Sequence, residues 1–359
     1  MPDYIDPIKN VPAEPERSPL SANVPDAMIG HRFDRALVAL FPDFTRARLQ
    51  AWLEAGRITL DGLPALKANT KVKPGQSIEV RPEAPPHMLA MRPEPVSLTI
   101  VYEDDACLVL DKPAGMVVHP AAGNWSGTLL NGLLHHHAAL ANLPRAGIVH
   151  RLDKDTSGLM VSSKTAEAQT CLIAQLQARS VRRIYCAVVW GRVQRAVTVE
   201  GKIGRDPRSR LKMAVVSHGK PATTHFLPIA QGLFDRVPVS LLACKLETGR
   251  THQIRVHAAH AGFGLLGDVT YRQARTPAID FPRQALHAAQ LAFEAPLRPG
   301  DGRLSFFAPP PADLLALLAS LEIAVDWPAF LAMTSEHWPD MGAGSASDDA
   351  LDDVFDDEL

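Results

Sequence analysis

Cysteine is scarce in this sequence. Its 359 residues include only Cys107, Cys171, Cys186 and Cys244, and no two of them form a Cys-x-x-Cys motif. This scatter argues against a zinc site, which needs closely spaced ligands. We therefore expect free, buried thiols, as in a protein of the reducing cytosol.

Long apolar segments are also missing. No apolar run approaches the roughly 18 residues that a membrane-spanning helix needs. Residues 1–6 include two acids and lack the apolar core of a secretory signal. We expect a cytoplasmic protein without a membrane partner. The composition, 46% hydrophobic and 21% charged, is that of a globular chain long enough for two domains.

Acidic residues are sparse in the body of the chain, although the formal net charge is −2. Residues 334–359 hold nine acids and no lysine or arginine, and residues 1–25 hold four acids and two bases. These ends leave 26 acids and 35 bases in residues 26–333. A basic body favours a polyanionic partner.

Three segments lack regular apolar periodicity. Residues 1–25 contain six prolines and predict a disordered arm. Residues 83–95 are proline-rich and predict a semi-rigid linker. Residues 331–359 predict an acidic, disordered tail.

Residues 26–82 predict a small separate module. Phe33, Leu37 and Leu40 recur at helical spacing. Thr45 is a candidate N-cap for a second helix, which Gly56 would end. Short strand patterns and turns follow, which predicts a compact α+β unit.

The most informative stretch covers residues 150–158, His-Arg-Leu-Asp-Lys-Asp-Thr-Ser-Gly. Five ionisable residues occupy its first six positions, between two short apolar segments, which is where scaffolds often present chemistry. The residues alone leave a second interpretation open, in which the aspartates and serine only form a turn.

Two further blocks follow in the chain. Tyr185 interrupts an otherwise apolar strand pattern, where it could also be a half-buried strand aromatic. Residues 248–257 read Thr-Gly-Arg-Thr-His-Gln-Ile-Arg-Val-His. Between these blocks, residues 204–213 predict a basic loop suited to a phosphate backbone.

These blocks resemble the RluA-type pseudouridine synthases in sequence and in order. The family signature is Arg-Leu-Asp, two variable residues, then Thr-Ser/Thr-Gly, and residues 151–158 match it fully. Residues 248–257 match the family pattern Thr-Gly-Arg-x-His-Gln-Ile-Arg-x-His. The basic loop is most similar to the branch that acts on large-subunit ribosomal RNA. The N-terminal module resembles the S4 RNA-binding domain.

The resemblance implies roles for particular residues. Asp153 would be the catalytic nucleophile, and Arg255 would form an ion pair with it. An ion pair at about 4 Å is worth about 4 kcal/mol at an effective dielectric constant of 20. Tyr185 would pack against the target base, and Arg151 of the signature would contact the substrate.

The resemblance also implies a set of RNA-binding cations. Each of them could instead be an ordinary solvated surface charge. They are Arg46, Arg48, Arg57, Lys71 and Lys73 of the S4-like module, and Arg205, Arg208, Arg210, Lys212 and Arg250 of the region after residue 96.

The fold implied is α+β. We expect a mixed, mostly antiparallel central sheet of the pseudouridine synthase type over residues 96–330, with a small S4-like domain before the linker. The protein would be a monomer whose partner is ribosomal RNA of the large subunit or its precursor particle.

Neither a metal nor a cofactor is expected. Three successive histidines, residues 135–137, would point about 100° apart on a helix and cannot all face one ion. Residues 262–267 read Gly-x-Gly-x-x-Gly, but no strand precedes them and no helix pattern follows, so they fail as a dinucleotide site. Isomerisation of uridine to pseudouridine requires neither redox change nor group transfer.

Three other functions remain open from the residues. One is a transfer RNA pseudouridine synthase, and another is a non-catalytic RNA-binding factor for ribosome assembly. A third is a glycoside hydrolase, which would need a second carboxylate and an aromatic-rich cleft. With 6% aromatic residues and no second acidic block, the sequence disfavours the hydrolase.

Overall fold

The computed structural model describes residues 19–335 except 65–66, 83–89, 122, 275, 299 and 301. The chain divides into two compact units, one ending at Leu89 and the other beginning at Ala90. Most of the predicted disordered arm, part of the predicted linker and most of the predicted acidic tail lie outside the described residues.

The first unit packs two helices against a small antiparallel sheet. Phe33, Leu37, Trp52 and Ile78 are among the buried residues of its core. The Thr45 side chain accepts a hydrogen bond from the Arg48 backbone N–H, as predicted for an N-cap. The sheet order is β1-β4-β2-β3, and the elements are β1 (Leu20–Asn23), α1 (Phe33–Leu40), α2 (Arg46–Glu54), β2 (Ile58–Leu60), β3 (Leu63–Pro64) and β4 (Ser77–Val80).

The predicted end of the N-terminal arm at residue 25 is wrong. Strand β1 pairs with β4 from Leu20 opposite Val80 to Asn23 opposite Ser77. Its side chains are mostly exposed, so backbone hydrogen bonds hold it and no apolar alternation marks it in the sequence.

The second unit is built on a ten-stranded sheet. Its strands are β5 (Ile100–Glu103), β6 (Cys107–Lys112), β7 (Ser157–Ser163), β8 (Arg182–Trp190), β9 (Val197–Asp206), β10 (Ser209–Val215), β11 (Lys220–Phe234), β12 (Val237–Leu246), β13 (Leu286–Glu294) and β14 (Arg303–Phe307). Its order is β10-β9-β11-β12-β8-β13-β7-β6-β5, with β14 paired to β13. The pairing of β13 with β7 is parallel, and the other pairings of this sheet are antiparallel. The predicted α+β class with a mixed, mostly antiparallel sheet is confirmed.

Helices cover this sheet on both faces. The helices are α3 (Leu129–His136), α4 (Ala166–Gln177), α5 (Gln253–His260), α6 (Ala312–Ser320) and α7 (Trp327–Ser335). Among the described residues, no helix has the length and apolar character needed to cross a bilayer.

Two predicted boundaries of the second unit are wrong. The unit begins before residue 96, because Asn131 Nδ2 donates to the Arg92 carbonyl at 2.8 Å and Glu94 Oε2 accepts from the Gly127 N–H at 2.7 Å. The tail does not begin at residue 331, since α7 continues to Ser335 and buries Phe330 in the core. In both places, packing against distant residues orders a segment with weak local signals.

The predicted basic loop at residues 204–213 is also wrong. These residues form a hairpin in which β10 pairs with β9, for example Met213 opposite Arg205. Five of the ten residues 204–213 are charged and Leu211 is 85% exposed, so the apolar alternation that marks a strand is diluted.

Gly158 of the signature joins the two halves of the sheet. It has φ +113 and lies opposite Ala288 in the parallel pair of β7 and β13. A Cβ atom at Gly158 would approach the Ala288 carbonyl oxygen to 2.3 Å. A side chain is therefore excluded both by the backbone conformation and by the neighbouring strand.

We expect Gly158→Ala to lower the free energy of unfolding by about 3 kcal/mol or more. Urea unfolding followed by circular dichroism would measure it. Gly115→Ala is the matched control, because Gly115 also has positive φ but no atom lies within 4 Å of an added Cβ. The control should lose only about 1–2 kcal/mol, and equal losses in the two variants would contradict the close-approach explanation.

Candidate active site

The turn that carries Asp153 is anchored on both sides. His150 is half-buried, and its Nε2 accepts a hydrogen bond from the Val161 N–H at 3.1 Å. Burial, with a contribution from the Arg183 charge, lowers the pKa of His150 to about 3, so the ring is a neutral acceptor. After the turn, the Thr156 N–H donates to the Asp153 carbonyl at 3.1 Å.

Lys112 anchors the same turn through its side-chain amine. Its side chain is buried, and Nζ donates to the carbonyls of Pro113, Met116 and Lys154 at 2.7, 3.0 and 2.9 Å. Burial lowers the pKa of Lys112 to about 8, although nearby aspartates oppose the shift. Lys112 therefore ties the end of β6 to the turn.

Asp153 and Arg255 form an ion pair. Arg255 lies on α5, more than 100 positions later in the chain, and its Nη1 donates to Asp153 Oδ2 at 3.0 Å. The Asp153 side chain is 17% exposed, whereas that of Arg255 is 7% exposed. The carboxylate is therefore open to a ligand while its partner is fixed.

Asp268 holds the other edge of the Arg255 guanidinium. Its carboxylate accepts from Nε at 2.6 Å and from Nη2 at 2.8 Å, and it also accepts from the backbone N–H groups of Thr270 and Tyr271. Burial alone would lower the pKa of Arg255. The hydrogen bonds and charges of Asp268 and Asp153 outweigh this effect and raise the pKa of Arg255. The guanidinium is a charged bridge between two carboxylates.

Sequence reasoning missed the role of Asp268. Its only local signal is that an acid directly follows the glycine-rich residues 262–267. That segment ends α5 and turns the chain, with φ +70 at Gly267. The turn brings Asp268 back beside Arg255 on the preceding helix.

His252 and Tyr271 complete the surroundings of Asp153. His252 has a left-handed backbone with φ +57, its Nδ1 lies 2.8 Å from the Tyr271 hydroxyl, and its Nε2 lies 3.9 Å from Asp153 Oδ1. Burial lowers the pKa of His252, against the effect of Asp153. The Arg255 guanidinium lies over the Tyr271 ring at 5.1 Å. Sequence reasoning missed both residues, although His252 lies within the matched block.

A cleft of about 530 Å³ opens over Asp153. That is large enough for a nucleoside. Tyr185 of β8 is 5% exposed and faces this cleft, and burial raises the pKa of Tyr185 to about 12, which keeps its phenol neutral. Of the sequence-predicted residues, the cleft brings together Arg151, Asp153, Tyr185, Arg250 and Arg255.

The remaining predicted cations lie elsewhere. Arg205, Arg208 and Lys212 lie on the β9–β10 hairpin and do not line the cleft, and Arg210 belongs to β10 of the same hairpin. In the first unit, Arg46 and Arg48 are on α2, where Arg46 Nη2 bonds Asp34 Oδ2 at 3.2 Å and Arg48 lies over the Trp52 ring. Arg57, Lys71 and Lys73 belong to the same unit.

The three histidines of residues 135–137 do not converge on a common site. His136 Nε2 lies 3.0 Å from Glu103 Oε2, on the edge of the sheet. Within the described ranges, no group of three or more acidic, histidine or cysteine side chains could hold a metal ion.

Among the described residues, Asp153 is the one carboxylate that lines the cleft. Asp268, the other carboxylate bonded to Arg255, has a side chain that is 1% exposed and fully engaged. Paired-carboxylate hydrolysis needs a second accessible acid. A single nucleophile or base, held by a guanidinium in a basic cleft, is what this arrangement can supply.

We expect Asp268→Asn to lower kcat about 10- to 100-fold, because Arg255 loses a charged partner and its orientation toward Asp153. Affinity for RNA should not change. Steady-state kinetics and RNA filter binding would test this expectation. Asp313→Asn, which weakens the Arg283–Asp313 pair outside the cleft, is the control and should retain kcat; equal losses would contradict an orienting role for Asp268.

Known proteins resemble this chain over both units. The family model described as RNA pseudouridylate synthase matches residues 106–260, and the S4 domain model matches residues 32–78. The ribosomal large subunit pseudouridine synthase D of Neisseria meningitidis (serogroup A) is 44% identical over 367 residues, which cover 99% of this chain and 96% of that protein. The protein of the same name from Pseudomonas aeruginosa is 47% identical over 318 residues, covering 84% and 95%.

A solved structure is also similar. The human RNA pseudouridylate synthase domain containing 1 shares 25% identity with a TM-score of 0.48, and the match covers 65% of this chain and 98% of that chain.

The fold, the cleft and the two family matches define an RNA-modifying enzyme with an S4 domain at its N-terminus. The identity to relatives over nearly the whole chain decides the family. The chain belongs to the RNA pseudouridylate synthase family, and its activity is that of an isomerase. The resemblance described from the sequence is thereby confirmed.

Proposed function

We propose that this protein isomerises specific uridines to pseudouridine in large-subunit ribosomal RNA, with Asp153 as the catalytic residue. The observation that carries the proposal is the open carboxylate of Asp153, held at 3.0 Å by Arg255 at the base of the cleft. The names of the relatives favour ribosomal over transfer RNA as the substrate.

The target nucleotide has to leave its stack to reach Asp153. Extruding a base costs a few kcal/mol, and it costs least in loops. Tyr185 then packs against the uracil, and stacking on an aromatic side chain is worth about 1–3 kcal/mol per base. Arg151 and Arg250, which also line the cleft, bind the backbone of the same RNA.

The reaction breaks the N-glycosidic bond, turns the uracil and joins its C5 to the ribose. The Asp153 carboxylate has three routes to this end. It can attack the anomeric carbon, abstract the ribose 2′ hydrogen as a base, or add to uracil C6. In each route Arg255 keeps the carboxylate aimed at the nucleotide.

The other predicted cations also bind RNA. In the first unit these are Arg46, Arg48, Arg57, Lys71 and Lys73, and in the β9–β10 hairpin they are Arg205, Arg208, Arg210 and Lys212. Such contacts to phosphates supply affinity without reading sequence. The protein acts in the cytoplasm as a monomer.

Pseudouridine mapping would test the substrate. Total RNA from cells with and without the gene is treated with carbodiimide and read by primer extension over ribosomal and transfer RNA. We expect stops in a large-subunit stem-loop to disappear without the gene. If stops were lost only from transfer RNA, the substrate would be transfer RNA instead. If no stop were lost, the result would favour the non-catalytic assembly factor.

A further inference from the structure

Arg183 is a second buried arginine of the cleft. It lies on β8 two residues before Tyr185, so both side chains extend from the same face of the strand. Arg183 is 7% exposed and lines the cleft together with Asp153 and Tyr185.

The Arg183 guanidinium has no partner in the part of the chain that the structure describes. Its Nε is buried without a hydrogen bond, and none of the described carboxylates pairs with it. Other buried arginines differ. Arg255 bridges two carboxylates, and Arg283 bonds Asp313 through Nε and Nη2 while its Nη1 donates to the Asp155 carbonyl.

Neighbouring groups do not compensate this charge. Burial lowers the pKa of Arg183, yet an arginine begins so high that the group stays protonated. His150 and Tyr185, which feel its charge, are both neutral at pH 7. Burying a cation without a partner costs free energy. An unpaired buried arginine in a cleft therefore indicates a site where a bound ligand supplies the missing partner.

Gly249 makes room for the guanidinium. A Cβ atom at Gly249 would lie 2.8 Å from Arg183 Nη1. Gly249 belongs to the matched Thr-Gly-Arg block, and its φ is not positive, so an added side chain would meet only the tip of the Arg183 side chain. The glycine therefore leaves space beside the Arg183 guanidinium, which faces the cleft.

We infer that Arg183 binds the phosphate of the extruded uridine, as a substrate-binding residue of the same site. A buried guanidinium needs an anion for compensation, and a phosphate accepts its parallel N–H groups. The nucleotide over Asp153 brings one such anion into the cleft. This inference rests on the proposed function.

Arg183→Gln tests the inference with the RNA stem-loop whose uridine the mapping experiment identifies. RNA affinity should fall about 10- to 100-fold, as expected for a charge-assisted contact. The slope of log affinity against log salt should shrink by about 0.7, the value for one contact to single-stranded RNA. The melting temperature of the free protein should stay equal or rise, because an unpaired buried charge is removed.

Arg182→Gln is the matched control. Arg182 is the adjacent residue of β8, its side chain extends from the opposite face, and it does not line the cleft. Its affinity and salt slope should equal those of the wild type. A lower melting temperature of Arg183→Gln with unchanged RNA affinity would overturn the inference in favour of a structural role.

Chemical changes in the RNA identify the atom that is bound. A methylphosphonate at the phosphate of the target uridine should weaken binding to the wild type but not to Arg183→Gln. If instead a thio-substituted uracil carbonyl weakened binding to the wild type but not to Arg183→Gln, the phosphate assignment would be wrong. If the wild-type protein bound the stem-loop but formed no pseudouridine, the proposed function would be overturned. The binding measurements would still show whether Arg183 contacts the RNA.

Discussion

Asp153→Asn is expected to reduce pseudouridine formation by about 10⁴-fold or more, because asparagine can neither attack carbon nor accept a proton as a carboxylate does. The side chains have the same shape, and Arg255 Nη1 can still donate to the amide oxygen. RNA affinity should therefore stay within a few-fold of the wild type. Tritium release from RNA labelled at uracil C5 would measure turnover.

The matched control for this change is Asp155→Asn, two positions later in the same turn. The Asp155 side chain does not line the cleft, and its backbone carbonyl still accepts from Arg283 Nη1 in the variant. Asp155→Asn should keep most of the activity. Retained turnover in Asp153→Asn, or equal losses in the two variants, would remove Asp153 from the catalytic role.

Arg255→Lys is expected to have the second largest effect. One ammonium group cannot reproduce three planar N–H contacts that join Asp153 to Asp268. We expect kcat to fall about 100-fold or more, because the carboxylate loses its orientation. We also expect the free energy of unfolding to fall by about 3 kcal/mol, because buried Asp268 loses part of its partner.

Stability and catalysis have to be separated in this variant. Leu318→Ala removes a buried side chain of the core on the other face of the sheet and should cost about 2–5 kcal/mol without touching the cleft. Below its unfolding range, Leu318→Ala should keep the wild-type kcat. A similar loss of kcat in both variants would show that lowered stability, not the guanidinium, explains the effect of Arg255→Lys.

Local sequence patterns were enough to predict several helices and strands and the main residues of the site. Helical spacing and a capping threonine marked α1 and α2 of the first unit, and the short apolar segment after Asp153 lies in β7. The two matched blocks named Asp153 and Arg255 as partners, and the structure places their side chains 3.0 Å apart. Their roles in the reaction stay predictions that the variants above test.

By itself, the sequence determined the class of fold, the S4 domain, the family and the residues that define its signature. It did so because helix spacing, turn chemistry and short blocks are properties of neighbouring residues. Only the tertiary structure decided that Asp268 holds Arg255, that Arg183 is buried without a partner among the described residues, and that the basic residues 204–213 form a hairpin. These features depend on which distant segments pack together and on how much water that packing removes, and no local pattern encodes either.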